Sequence, residues 1–264
     1  MPDSAARLGI RVLGSGTSVG IPTIGCHCKV CRSNDPRDRR LRPSIAIRNG
    51  ESIIVVDTGP DFRQQALDAC LERVDAVLFT HAHADHILGL DDLRPFNFHQ
   101  KEPIAIHSSA GSLEVIQRVF DYVFRDGPSE SSRPKIRSHV FDHEPFEAAG
   151  LVFTPIPVKH GSGPCHGFRF GNAAYLTDHS EIPESSMRLL EGVDVLFLDA
   201  LRYKPHPTHS TIDESLKTVA RLQPRATYFT HISHDLGHDR AQSLLPEGVF
   251  LAYDGLEIDL GAAQ

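Results

Sequence analysis

Apolar runs rich in β-branched residues recur along both halves of the chain and predict strands. They cover residues 9–13, 44–48, 52–57 and 75–80 in the first half, and residues 151–158, 166–170, 173–177, 194–199 and 226–230 in the second. The dipeptides Asn49-Gly50 and Gly171-Asn172 separate neighbouring runs and predict tight hairpin turns. Residues 60–70, 112–124 and 213–222 have the pattern expected of helices.

Hairpins combined with strand–helix units predict an α/β fold in which two sheets pack face to face with helices outside. This pattern alone does not separate that arrangement from other α/β folds. No internal repeat, low-complexity tract or long linker divides the chain, so we expect a single domain over residues 1–264.

Composition and charge narrow the class of protein. The formal net charge is -7, and the one basic run, RDRRLR at residues 37–42, is flanked by acidic residues. A protein that holds polynucleotides usually carries a basic patch, so we expect no polynucleotide partner. The sequence contains no apolar stretch of membrane-spanning length and no signal-peptide pattern at its start, so we expect no membrane partner and a cytoplasmic location.

The densest polar segment, HAHADH at residues 81–86, directly follows the apolar run DAVLFT. Loops at strand ends are where α/β proteins place reactive groups. Three imidazoles and a carboxylate cannot be buried there without partners, because each unpaired polar group costs roughly 1–3 kcal/mol. Imidazole and carboxylate are good ligands for zinc, manganese and iron. The segment therefore predicts a metal site formed by His81, His83, Asp85 and His86.

Two metal ions would need further ligands from elsewhere in the chain. His160, Asp178 and His231 each follow a strand-like run, in VFTPIPVK, AAYLT and ATYFT respectively. Taken singly, each is more often a turn or capping residue. Their shared position at strand ends, together with HAHADH, predicts that they converge on one site.

Five cysteines in a chain without an export signal make disulfides a poor first hypothesis. Cys26, Cys28 and Cys31 crowd together, and this spacing favours a metal ion. The alternative is a set of three reduced, partly buried thiols. The role of Cys165 is left open.

The motif HxHxDH, followed by histidine, aspartate and histidine at strand ends, resembles the metallo-β-lactamase superfamily over residues 57–231. The resemblance implies that superfamily's αββα sandwich, with two mixed sheets face to face, and two divalent metal ions, Mn²⁺ or Zn²⁺. The implied ligands are His81, His83 and His160 for the first metal, Asp85, His86 and His231 for the second, and Asp178 as the bridge. Asp57, in VVDTG, matches a motif that supports the ligands from behind.

The segment LGSGTSVGIPTIGCHCKVC, residues 13–31, resembles the opening of the PhnP-type cyclic phosphodiesterases, and THISH at residues 230–234 matches a segment of the same family. This resemblance implies a zinc-binding loop at about residues 20–43. Its ligands for one structural Zn²⁺ would be Cys26, Cys28, Cys31 and His234. A closed tetrahedron of three cysteines and one histidine is typical of structural zinc.

The PhnP resemblance also implies a reaction, the hydrolysis of 5-phosphoribosyl 1,2-cyclic phosphate or a similar small cyclic phosphodiester by a hydroxide that bridges the two metals. His209, in PTHSTID, matches the family's proton donor. The alternative is that His209 is a non-catalytic residue before the N-terminus of the helix expected at residues 213–222. Asp85 is counted among the catalytic residues as well as the ligands. Arg94 is a candidate phosphate contact, but an ion pair with Asp91 or Asp92 explains it equally well.

Two other functions compete with this one. The first is another hydrolase on the same fold, such as a thioesterase. The second is a non-hydrolytic relative of PqqB, a cofactor-biosynthesis family that also carries a cysteine zinc loop but, by resemblance, has degraded dinuclear ligands. We expect a small-molecule phosphodiester substrate, and a homodimer remains compatible with the sequence.

Overall fold

A computed structural model describes residues 7–125, 127 and 132–262. Its strands form two seven-stranded sheets. The first sheet contains β1 (Arg7–Gly14), β2 (Ser44–Asn49), β3 (Ser52–Val56), β4 (Ala76–Leu78), β5 (Ile104–Ser108), β6 (Ile136–Val140) and β14 (Glu257–Ala262). The second contains β7 (Phe146–Ala148), β8 (Leu151–His160), β9 (Gly163–Phe170), β10 (Ala173–Leu176), β11 (Val195–Asp199), β12 (Ala226–Thr230) and β13 (Val249–Leu251).

Both sheets are mixed in the same way. The first has the order β14-β1-β2-β3-β4-β5-β6 and is antiparallel from β14 to β3 and parallel from β3 to β6. The second has the order β13-β12-β11-β10-β9-β8-β7 and is parallel from β13 to β10 and antiparallel beyond. Parallel neighbours end at the same edge of a sheet, so residues that follow β4, β11 and β12 are brought to the sheet edges in register.

Helices accompany the strands in the described part of the chain. They are α1 (Phe62–Asp68), α2 (Ala84–Ile87), α3 (Arg94–Gln100), α4 (Ala110–Val119), α5 (Asp121–Phe124), α6 (Glu184–Leu189), α7 (Ile212–Leu222) and α8 (His238–Gln242). Within the described residues, none of these helices has the length and apolar content needed to cross a bilayer.

The hydrophobic core has three layers, which is what two stacked sheets with outer helices require. Ile45 and Ile47 of β2 face Phe153 and Phe168 of the second sheet in the layer between the sheets. Side chains from α1, α3 and α4 cover the outer face of the first sheet. Side chains from α6, α7 and α8 cover the outer face of the second. The predicted αββα sandwich is therefore confirmed.

Helix boundaries differ from the sequence-based prediction where local backbone geometry intervenes. The helix expected at residues 60–70 covers only Phe62–Asp68, and Cys70 behind it has a left-handed backbone (φ 51). The helix expected at residues 112–124 starts earlier, at Ala110, and is divided at Phe120 (φ -109, ψ 38). Helix α7 begins one residue early because Thr211 caps it and exchanges hydrogen bonds with Glu214 in a capping box.

Asp254, between β13 and β14, ties two N-terminal segments together through its carboxylate. Its Oδ1 accepts hydrogen bonds from the backbone N–H (2.8 Å) and hydroxyl (2.7 Å) of Ser15, and its Oδ2 accepts from the N–H of Leu41 (2.7 Å). Burial raises the pKa of Asp254 to about 6. A carboxyl with a raised pKa binds its proton more tightly in the folded chain than in the unfolded chain.

We therefore expect the contribution of Asp254 to the free energy of unfolding to fall as the pH rises from about 4 to about 6, and to be constant above that. The full change is up to about 3 kcal/mol, because a tenfold difference in proton affinity between the folded and unfolded chain corresponds to about 1.4 kcal/mol. Denaturant unfolding of the wild type and Asp254→Asn between pH 4 and 7 measures it, since all other groups cancel in the difference. Parallel curves at every pH would contradict the prediction.

Candidate metal centre

The HAHADH loop is held in place by the turn that follows β3. Asp57 Oδ1 accepts a hydrogen bond from Thr80 N (2.9 Å), and its Oδ2 lies 2.7 Å from Nδ1 of His86. Gly59 allows a close approach, because a Cβ there would lie 2.0 Å from the carbonyl oxygen of Asp85. Asp57, which the resemblance implies as a support for the metal ligands, thus contacts the loop directly.

The first group of donor atoms consists of three imidazoles. His81 and His83 come from the loop and His160 from the end of β8. His83 Nδ1 lies 2.8 Å from His81 Nε2 and 3.2 Å from His160 Nε2. His160 donates its Nδ1 proton to the carbonyl oxygen of Thr208 (2.9 Å), which leaves its Nε2 lone pair facing the group.

The second group combines two carboxylates with two imidazoles, those of Asp85, His86, Asp178 and His231. His86 Nε2 lies 3.2 Å from Asp85 Oδ2 and 3.4 Å from Asp178 Oδ1. His231 Nε2 lies 3.4 Å from Asp178 Oδ2. All four residues are buried, so this group is removed from water.

Asp178 belongs to both groups by position. Its Oδ2 also lies 3.8 Å from His160 Nε2 and 4.0 Å from His81 Nε2. The structure therefore brings together the seven residues predicted as ligands of the metal pair, and Asp178 lies between the two groups.

These residues fit metal ions for two reasons, the chemistry of their donor atoms and the buried polar atoms that have no hydrogen-bond partner. Asp85 Oδ2, His86 Nε2 and His231 Nε2 are buried without a hydrogen-bond partner. Buried polar atoms of this kind normally have partners, and a cation would supply one for all three. Imidazole nitrogen with carboxylate oxygen suits zinc, manganese or iron.

The pKa values of the second group also indicate that its carboxylates favour a nearby positive charge. Burial acts to lower the pKa of His86, but Asp178, Asp85 and Asp57 together raise it well above its ordinary value. Burial acts to raise the pKa of Asp178, but His231 and His86 hold it well below its ordinary value. Carboxylates thus stay ionised only beside a cation, and metal binding would displace protons from the imidazoles.

A separate group of donors joins the N-terminal loop to the segment after β12. The Nδ1 atom of His234 lies 3.2 Å from Cys26 Sγ, 3.8 Å from Cys28 Sγ and 3.4 Å from Cys31 Sγ. The N–H of Cys31 donates to Cys28 Sγ and is the largest cause of the lowered pKa of that thiol, which favours the thiolate that binds metal. Three thiols around one imidazole fit a structural zinc ion.

Arg40 anchors this loop independently of any metal. Its side chain is fully buried and donates to the carbonyl oxygens of Ser233 (3.1 Å) and Leu236 (2.8 Å) and to Asp38 (3.1 Å). The segment from His231 to Leu236 therefore contributes His231 to the group with Asp85, His86 and Asp178 and contributes His234 to the cysteine group. Arg40 holds this segment in place.

Substituting Cys28 by serine is expected to remove one bound metal ion per chain and to lower the melting temperature, since zinc-bound structure is stabilised by metal-binding free energy. Cys70→Ser is the matched control, because Cys70 is exposed and outside the donor group. Metal analysis of both purified variants beside the wild type decides it. Equal metal content in Cys28→Ser and wild type would contradict a zinc ion at this position.

His209 lies beside both donor groups and is oriented by a carboxylate. Its ring centroid is 4.7 Å from that of His160 and 4.5 Å from that of His231. Its Nδ1 lies 2.7 Å from Oδ2 of Asp199, a buried residue at the end of β11. Burial raises the pKa of Asp199 and lowers the pKa of His209, so the pair shares one proton across this contact.

Asp199 is the functional residue that sequence reasoning missed. It ends the apolar run at residues 194–199, so it has the same strand-end signal as Asp178. Its side chain also accepts a hydrogen bond from the backbone N–H of His179 (3.0 Å). The contact with His209 fixes which imidazole nitrogen, Nε2, is left free.

Two residues whose roles the sequence left open are placed outside the donor groups. Arg94 pairs with Asp91 (3.2 Å) and donates to the carbonyl oxygen of Ser132 (3.1 Å), so the ion pair named as one alternative is present. Cys165 is buried in the core of the second sheet, and its thiol donates to the carbonyl oxygen of Asp178 (3.4 Å). That contact places the Cys165 thiol against the backbone of Asp178.

Comparison with known families agrees with this geometry. The family model described as "Beta-lactamase superfamily domain" matches residues 53–232. A crystal structure described as a new diphosphatase from the PhnP family is 48% identical, covers 98% of this chain and 99% of its own, and superposes with a TM-score of 0.92. The chain belongs to the metallo-β-lactamase superfamily. Within it, this chain is close to the PhnP members.

Two further relatives show the range of the superfamily. An octanoyltransferase of Porphyromonas gingivalis is 39% identical over 93% of this chain, which spans 50% of that protein's length. Zn²⁺-bound PqqB from Methylobacterium extorquens, at 23% identity, shares the fold with a TM-score of 0.76 over 96% of this chain and 100% of its own. The fold, the donor groups and the PhnP-family relative together support a metal-dependent hydrolase.

Proposed function

We propose that the protein is a dinuclear metal phosphodiesterase that hydrolyses a small cyclic phosphodiester, of the kind represented by 5-phosphoribosyl 1,2-cyclic phosphate. Two divalent metal ions held by the seven residues would supply Lewis-acid charge to the phosphoryl oxygens and activate water. The observation that carries the proposal is the Asp199–His209 pair beside both donor groups.

Proton transfer is the task that this pair fits. Cleavage of a cyclic phosphodiester expels a strongly basic alkoxide, which needs a proton as it leaves. The shared proton lies between Nδ1 of His209 and Asp199, so Nε2 is free to hold a second one. An anionic phosphate bound beside His209 favours that second proton, because the added negative charge stabilises the imidazolium. A thioester releases a weakly basic thiolate and does not require such a donor.

A diphosphate is the second candidate substrate, because the 48% identical relative is described as a diphosphatase. Its leaving group is a phosphate, which departs without an obligatory proton donor.

The test is a substrate panel on metal-loaded protein with a cyclic phosphodiester, a nucleoside diphosphate and a thioester. We expect the cyclic phosphodiester to have the highest kcat/KM. A higher kcat/KM for the diphosphate would replace the cyclic substrate by the second candidate. Preference for the thioester, or no hydrolysis with both donor groups metal-loaded, would overturn the phosphodiesterase proposal.

A further inference from the structure

The cysteine group lies at the surface of the molecule and consists of Cys26, Cys28, Cys31 and His234. Its three cysteines are partly exposed, whereas Cys165 is buried in the core. Cys28 and His234 also line a cavity of about 520 Å³ between the N-terminal loop and α8. A small oxidant dissolved in water therefore has direct access to Cys28.

The sulfur atoms of the group are close enough to react with one another. All four donor atoms lie within 4.8 Å of one another. Cys28 and Cys31 are joined further by a hydrogen bond from the backbone N–H of Cys31 to Cys28 Sγ (3.4 Å). The turn that contains them is closed by a hydrogen bond from Arg32 N to the carbonyl oxygen of Cys28 (3.1 Å), which folds the two residues toward each other. Cys28 and Cys31 are therefore the two thiols best placed to form a disulfide.

The segment that carries His234 also supports the metal centre. It begins at the ligand His231, and the backbone N–H of Ser233 within it donates to the carbonyl oxygen of Leu201 (3.0 Å). The N–H of Leu201 donates in turn to the carbonyl oxygen of Ser210 (3.0 Å), next to the proposed proton donor. A change in the partners of His234 is thus transmitted through backbone hydrogen bonds to both sides of the metal centre.

Arg40 keeps the same segment folded independently of the cysteines. Its buried guanidinium donates to the carbonyl oxygens of Ser233 and Leu236. Asp254 holds the two neighbouring N-terminal segments through its carboxylate. We therefore expect the loss of a metal ion from the cysteine group to relax the chain around His234 and to leave both sheets intact.

We propose that the cysteine group is a redox-sensitive modification site, where hydrogen peroxide oxidises Cys28 and Cys31 to a disulfide, releases the structural zinc ion and weakens metal binding at the metal centre. The Cys28 thiolate attacks one peroxide oxygen, the O–O bond breaks, and the hydroxide that leaves takes a proton from solvent, which gives a sulfenic acid and water. The Cys31 thiolate then attacks the sulfenic sulfur and expels hydroxide, which is protonated to a second water.

Two thiolates thus lose two electrons in total, and one peroxide molecule is reduced to two water molecules. Cys26 and His234 remain as the only two zinc ligands of the group, whereas a structural zinc ion is normally held by four. The effect on the metal centre is independent of which substrate is hydrolysed there.

The first test treats protein loaded with Zn²⁺ and Mn²⁺ with hydrogen peroxide and then removes free metal. We expect the loss of one zinc ion per chain and a Cys28–Cys31 disulfide in a peptide mass map. Dithiothreitol followed by Zn²⁺ should restore the zinc content. Cys70→Ser is the control and should behave as the wild type, because Cys70 is an exposed thiol outside the group. Zinc that stays bound in peroxide, or a disulfide between other cysteines, would overturn the modification site.

Cys31→His separates disulfide formation from general oxidative damage. An imidazole in place of the thiolate keeps four zinc-ligating residues, but it removes the thiol that resolves the sulfenic acid at Cys28. We expect peroxide to release zinc from this variant at least about 10-fold more slowly than from the wild type. Equal rates of release in the two proteins would show that Cys31 is not the resolving thiol and would overturn the proposed step.

The second test measures Mn²⁺ binding to the metal centre by calorimetric titration, before and after peroxide treatment. We expect binding to the oxidised wild type to be about 10- to 100-fold weaker, the usual effect of losing support behind metal ligands, and binding to treated Cys31→His to be unchanged. Thermal unfolding of the oxidised protein should remain cooperative. Unchanged Mn²⁺ affinity after zinc release, or loss of cooperative unfolding, would overturn the link between the two groups. Neither test uses a substrate, so failure of the phosphodiesterase proposal would leave both results interpretable.

Discussion

Replacing Asp178 by asparagine is expected to reduce kcat/KM by roughly 10³-fold or more, because a metal pair contributes several kcal/mol of transition-state stabilisation. Asp178 lies between the two donor groups, within 3.4–4.0 Å of nitrogen atoms from His81, His160 and His231. A neutral amide of the same shape keeps the packing but removes the anionic bridge. Metal content should fall with activity, and the metal-dependent rise in melting temperature should be lost.

The control for this variant is Asp213→Asn, which removes one carboxylate from an exposed position in the first turn of α7. Metal analysis, melting temperature with and without added Mn²⁺ or Zn²⁺, and turnover of a phosphodiester measure the effect. Full metal occupancy with full activity in Asp178→Asn would contradict a shared bridging role.

Substituting His209 by asparagine is expected to lower kcat by about 10²- to 10⁴-fold on a cyclic nucleotide, the usual contribution of a general acid. On bis-p-nitrophenyl phosphate the loss should be much smaller, because nitrophenolate leaves without protonation. Asp199→Asn should reproduce the same substrate dependence at about 10- to 100-fold, since it acts by orienting the imidazole. Metal content should be unchanged in both variants.

His143→Asn is the matched control, because His143 is exposed and lies outside the donor groups. Steady-state kinetics on both substrates, with metal analysis of the same samples, decide the result. If His209→Asn slows the two substrates equally, or if it loses a metal ion, His209 is not the proton donor, and a ligand role in the group Asp199, His209 and His231 becomes the better explanation.

One short segment of chain connects the metal centre of histidines and aspartates to the cysteine group. His231, directly after β12, has a left-handed backbone conformation (φ 56), and His234, three residues later, faces the three cysteines. Two histidines three residues apart thus reach two different groups of donor atoms, His231 the one with Asp85, His86 and Asp178, and His234 the cysteines. The cysteine group thereby supports the catalytic side of the molecule as well as the N-terminal loop.

The sequence by itself determined the donor residues and the strands that precede them. Each of the predicted ligands follows an apolar run, and this made them recognisable: HAHADH, His160, Asp178 and His231. The change from apolar to polar residues marks the point where a buried strand reaches the edge of its sheet. The Cys26, Cys28 and Cys31 spacing was equally local. Helix ends were less certain, since Cys70 and Phe120 interrupt helices through backbone conformations that apolar spacing does not encode.

Only the tertiary structure decided which of these residues meet. The contact of Asp199 with His209, the stacking of His209 on His231 and the hydrogen bond between His160 and the carbonyl oxygen of Thr208 depend on how the loops fold over the strand ends, which the spacing of apolar residues does not encode. Periodicity reports which face of an element is buried, but the partner across that face is set by the order of strands in the sheets. Here the parallel order β11-β12, with β4 in the facing sheet, brings the strand ends together and so creates the site.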